Sequence, residues 1–337
     1  MRYAGLIAVL LFVVTGVAVV LAKANLQGSA DDEGLARALP QQIVLEAETV
    51  PALYPHEHSL ENSVFDEEHG IWKFSPTETL EQDVWVTKFE LVLENAPMTS
   101  LHHAGITNLN EPNQVCPNSP HEVYRHEIFS TTPDMAEAPV EFPEGYGLFL
   151  PKGSRLVLVT MLHNPLPPYG PGEVYTEVAA KVVLNVEPAS TASMRPVEYY
   201  RLHIDDVACP GAVYQEVFTV PAGAQGFVKR GTERDGMHPA RVELSRSGEL
   251  IYATAHLHPW EGGEKLDVLV KDKNVATFRP RQLSNEAWSW IIPHQKSGLP
   301  RVRAGDTLSI EATYSNPYGG DISGAMGMFV FYFAPDP

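Results

Sequence analysis

His256 and His258 flank a single leucine at the end of the run Glu249-Leu250-Ile251-Tyr252-Ala253-Thr254-Ala255, and Met326 follows downstream. The run is strand-like, and side chains at i and i+2 of an extended chain project from the same face, so the two imidazoles point together. Imidazole suits copper in both oxidation states, and a thioether favours Cu(I). Two imidazoles with a methionine sulfur therefore fit a redox-cycling copper better than zinc, magnesium or calcium.

A second constellation lies upstream. His102 and His103 are adjacent, and His163 closes the strand-like run Arg155-Leu156-Val157-Leu158-Val159-Thr160-Met161-Leu162. Neighbours on a regular strand face opposite ways, so the pair meets one ion only where the strand ends or bends, and Ala104-Gly105 permits a bend. Three neutral imidazoles hold a copper and leave a position open. The remaining histidines read differently. His69, His121, His126 and His238, taken singly, are surface or hydrogen-bonded residues. His56-Glu57-His58 repeats the i, i+2 spacing but sits among Pro51, Pro55 and charged residues without a strand before it, so it reads as a surface loop. Met326 alone would read as core packing. The joint order of His-His, His, His-x-His and Met is what singles out these six residues.

That order resembles the type II copper, ascorbate-dependent monooxygenases, the family of peptidylglycine α-hydroxylating monooxygenase and dopamine β-monooxygenase, over roughly residues 75 to 335. The resemblance implies that His102, His103 and His163 hold one copper, which stores and delivers an electron. It implies that His256, His258 and Met326 hold a second, catalytic copper, where O2 binds and substrate is hydroxylated, and that ascorbate or another reductant reloads both. The turn Ala304-Gly305-Asp306 ahead of Thr307-Leu308-Ser309-Ile310-Glu311-Ala312-Thr313-Tyr314 is similar to the family's turn before its penultimate strand. The peptide-amidating member grips a substrate carboxylate with an Arg, an Asn and a Tyr, whose positions here carry Thr254, Met328 and Val330. None of these can form an ion pair, so a small, more apolar substrate is expected.

Strand-like runs alternate with turns rich in the 28 Pro and 25 Gly, and helical periodicity is absent after residue 40, which points to an all-β chain. Its 337 residues suffice for two antiparallel, jelly-roll-like β-sandwich domains in tandem. We place these at residues 42–187 and 194–337, joined by the polar linker Pro188-Ala189-Ser190-Thr191-Ala192-Ser193, with one copper set in each. Arg2, the apolar run from Tyr3 to Ala22 and Ala22-Lys23-Ala24 describe a signal peptide over residues 1–24, or an uncleaved membrane anchor of similar length. Residues 25–41 form a tether. Both readings export the body to the periplasm or the extracellular space. There Cys116 and Cys209 either pair or stay free. A net charge of −18 argues against nucleic acid or an anionic membrane as partner. No Walker A loop, GxGxxG, HExxH or GxSxG occurs. The alternatives to a monooxygenase are an exported copper protein for storage, delivery or sensing without turnover, and a β-sandwich interaction module with incidental histidines.

Overall fold

The computed structural model describes residues 41–56, 71–111, 126–136, 138–167, 170–204, 218–231, 240–258, 262–284 and 290–337. The expected signal or anchor segment, residues 25–40 of the expected tether, Cys116, Cys209, His58, His69, His121 and His238 lie outside the described residues, while Gln41, expected to end the tether, opens the first strand. Among those residues the chain is all-β, and its one helical turn is the 3-10 segment Met98–Ser100.

The first half pairs Gln41–Glu46, Tyr175–Pro188, Val84–Glu94 and Tyr146–Leu150 in one seven-stranded sheet, and Ile71–Phe74, Arg155–Leu162, Leu101–Asn108 and His126–Thr131 in a five-stranded one. Every pairing named here is antiparallel. Val86, Phe89, Ile106, Phe129, Leu158 and Leu184 from both sheets fill its core. The second half orders Glu198–His203, Gly327–Pro335, Gly248–Leu257 and Arg301–Val302 in a four-stranded sheet. Its partner sheet runs Phe227–Arg230, Thr307–Tyr314, Gly263–Val270 and Lys273–Phe278.

The four-stranded sheet belongs to both cores. Along Gly327–Pro335 all nine residues are buried. Phe329, Phe331 and Phe333 enter the second core, while Met328, Val330, Tyr332 and Ala334 enter the first. Strand alternation sorts them this way, and a strand covered on both faces reads as one continuous apolar run. The first half thus rests on Tyr199, Tyr252 and Tyr332, and the halves form one compact unit over Pro40–Pro337.

The segment expected as a solvated linker is held down. Ala189 N–H donates to Asp83 O at 3.0 Å, and Trp85 Nε1–H donates to Ala192 O at 3.1 Å. Just beyond, Arg195 donates to Glu249 Oε1 at 2.7 Å and to Pro335 O at 3.0 Å, while its guanidinium lies over the Tyr146 ring. Short polar residues read as flexible from sequence alone, but a backbone bond and the Trp85 indole hold them here.

Candidate metal centre

The two histidine sets meet where the halves join. In the second set, Gly248–Leu257 brings His256 and His258 to one face, with ring centroids 4.7 Å apart. His256 stands opposite Met328 and Leu257 opposite Gly327 on the neighbouring strand. The register ends there, and His258 follows Leu257 as Met326 precedes Gly327. Met326 is buried, and its carbonyl accepts from Tyr314 Oη at 2.5 Å. Met328 is also buried, directly across from His256.

In the first set the irregularity that adjacent histidines need is a β-bulge at His102, ahead of the bend expected at Ala104-Gly105. Met161 pairs His103 but the next residue, Leu162, pairs Leu101, which leaves His102 as the extra residue in the ladder. A bulge re-aims the side chain it carries, and His102 reaches His103 at 4.1 Å and His163 at 5.0 Å between centroids. Gly105 has another role. A Cβ there would stand 2.6 Å from Glu127 Oε1, so the missing side chain admits that carboxylate.

His163 lies one residue past its strand and is held by its surroundings. Its backbone N–H donates to Ser100 O at 3.0 Å, and the Asn164 amide donates to Leu53 O and Glu173 O. Nε2 of His163 lies 3.1 Å from Thr99 O, so the proton sits on Nε2 and the lone pair on Nδ1. His56, expected in a surface loop, is instead bridged to Pro165, with its ring 6.4 Å from that of His163. Prolines around it concealed the long-range pairing that fixes it.

Each set lies in its own half, and the two are adjacent where the halves join. His103 lies 6.0 Å from His256 and His102 lies 6.3 Å from His258, centroid to centroid. Two imidazoles sharing one ion through nitrogens about 2 Å from it have centroids roughly 5 Å apart. The distances within each set match that value, and those between the sets exceed it by about 1 Å, a side-chain adjustment. Among the described residues no three His, Cys, Asp or Glu side chains already close into a metal cage.

The donor chemistry fits a soft or borderline metal. His256 Nδ1 lies 2.7 Å from Asp134 Oδ1, and both side chains are 3% exposed. Thr132 Oγ1–H donates to the same oxygen at 2.6 Å. This carboxylate holds the proton on Nδ1, and Nε2 is left buried with its lone pair and no partner among the described residues. His102 Nδ1 is buried without a partner in the same way. Buried nitrogens of this kind are costly unless something binds them. Burial above all, then the charges of His103, His163, His258 and His256, pushes the pKa of His102 well down. Burial again leads for His103, followed by the charges of His256, Arg201, His258 and His203. Both rings are thus held neutral, the form that ligates metal.

Three groups of this site carried no usable signal in the sequence. Asp134 lies in a Pro-containing turn, and nothing local links it to His256, 122 residues away. His203 ends its strand opposite Met328 and is buried. Glu127 accepts from Arg201 Nη1 and from Tyr199 Oη, both at 2.9 Å, and so ties the halves together beside the rings.

No protein-family model and no curated protein matches the chain. Among solved structures it aligns with the major capsid protein P2 from bacteriophage PM2 at 7% identity, over 88% of this chain and 98% of that one, with a TM-score of 0.35. It aligns with the infectious bursal disease virus VP2 subviral particle at 11% identity, over 91% and 75% of the two chains, with a TM-score of 0.24. Dimeric latent PorU from Porphyromonas gingivalis gives 11% identity, 79% and 24% coverage, and a TM-score of 0.22. None of these likenesses is close enough to bear on function.

Proposed function

We infer that the protein is an exported copper-dependent monooxygenase that hydroxylates a C–H bond of a small apolar substrate, with O2 and an external reductant such as ascorbate. The observation that carries this reading is the meeting of His102, His103, His163, His256 and His258, with buried methionine sulfur on the strand beside them. Copper held by these residues would supply one-electron chemistry and activation of O2.

The chain's own residues supply the rest. Asp134 fixes the tautomer and orientation of His256, and burial of His256, His258 and Met326 excludes water from that side. His102, His103 and His163 are only half-buried, so small molecules approach from the first half. On the face that bears His256, Thr254 pairs Val330, which in turn pairs Arg201. The Thr254 hydroxyl is buried and has no partner among the described residues, so it is the one polar handle among the three positions where a carboxylate grip would sit.

Oxygen uptake by the copper-loaded chain with ascorbate tests the reading. Uptake that rises with an apolar substrate and yields its hydroxylated product is expected. Stable copper with no uptake under any reductant would leave a copper protein without turnover.

A further inference from the structure

We propose a metal site shared between the two halves, in which His103 from the first joins His203 and His256 from the second, with the Met328 thioether beside them. This rests on the copper reading above and divides the cluster differently from the one-set-per-half arrangement that the resemblance implies.

The register carries the argument. Met328 is the Cα partner of His203 on one side and of His256 on the other. Residues directly opposite in antiparallel strands share a face, with Cβ atoms about 4.5–5.5 Å apart. His203, Met328 and His256 therefore form a row across three strands. They are 6%, 1% and 2% exposed, and the row lies on the face turned toward the first half. Along the central strand that face continues as Val330, Tyr332 and Ala334, with Arg201 and Thr254 flanking Val330, so three potential ligands stand together at its end.

The first half meets this row with His103. His103 keeps its place in the ladder and its ring comes within 6.0 Å of His256, while the bulged His102, whose ring stays 4.1 Å from that of His103, also reaches His163 at 5.0 Å and His258 at 6.3 Å. His203 and His256 both rank among the charges felt by His103. The Nε2 of His256, held outward by Asp134, has no other partner among the described residues. Three imidazoles and a thioether make a soft set suited to Cu(I). His102, His163 and His258, with the buried Met326, remain for the other ion.

A double-variant copper count on the full chain separates the two divisions. After copper loading and dialysis, the wild type should retain two ions, and His103→Ala, His203→Ala and His256→Ala one each. The His103→Ala/His256→Ala double variant should still retain one, because both changes strip the same ion. The Cu(II) EPR spectrum left in these variants should be one and the same, and should differ from that of His163→Ala. Where alanine prevents folding, the matching asparagine variants give the count. Loss of both ions in the double variant, with two in the wild type, overturns the shared site alone. A wild type that retains fewer than two ions overturns the copper reading beneath it as well.

Discussion

The two histidine sets reach the same place by opposite means. His256 and His258 sit on a regular strand, where alternation alone aligns them, and a carboxylate from the other half orients the first ring. His102 and His103 sit on an irregular strand, where a bulge must turn one ring, and His163 is steered by backbone contacts past a strand end. One region is fully buried and the other half-buried. Position in the second set is secured by side-chain chemistry and in the first by backbone geometry. The two should therefore fail under different changes.

The largest expected effect falls on what joins them. Glu127→Ala removes the carboxylate to which Arg201 and Tyr199 donate, and losing hydrogen bonds to a half-buried charge costs about 1.5–3 kcal/mol. Denaturant unfolding of both proteins checks this, and a loss under about 1 kcal/mol would mean that the halves do not depend on the pair. Acid comes next and acts on the first set. His102 and His103 have pKa values well below the ordinary 6.5, so the unfolded chain takes up their protons first. Stability from these two rings is present at neutral pH and is lost progressively as the pH falls through 6.5, between pH 7 and pH 5.5. Metal-free melts across that range should show the loss, and His102→Asn/His103→Asn should flatten it.

Asp134→Ala acts on the second set. It should lower copper affinity there by 10- to 100-fold, the usual cost of losing a carboxylate behind a ligating histidine, and leave the His163 ion in place. Competition titration with a Cu(I) chelator measures both, and equal weakening of the two ions would contradict the asymmetry. The smallest change in stability belongs to the methionines. Met326→Leu and Met328→Leu keep volume and apolarity, so each should cost less than about 1.5 kcal/mol. Each should still weaken Cu(I) retention at one ion, which the same titration resolves.

This asymmetry also explains what was legible in the sequence. The all-β class showed in short apolar runs between turns, and the His-x-His pair showed because alternation is local. The adjacent pair was readable as ligands only on condition of a backbone irregularity. Its place was misjudged because a bulge depends on the partner strand, where Leu162 pairs Leu101, and not on Gly105. Asp134, His203 and His56 were missed for the same reason. Each reaches the cluster through a pairing or turn contact between distant segments, and no spacing rule encodes that. The sharing of one sheet by two cores was equally hidden, since an unbroken apolar strand such as Gly327–Pro335 does not reveal what covers each face.

The converging histidines are proposed to bind copper as one cluster. Copper analysis of the dialysed full chain, beside a variant with His102, His103, His163, His256 and His258 all replaced by Asn, tests it most directly. Two ions per wild-type chain and none in the folded variant are expected. One ion or fewer in the wild type, or the same copper in both proteins, would contradict it.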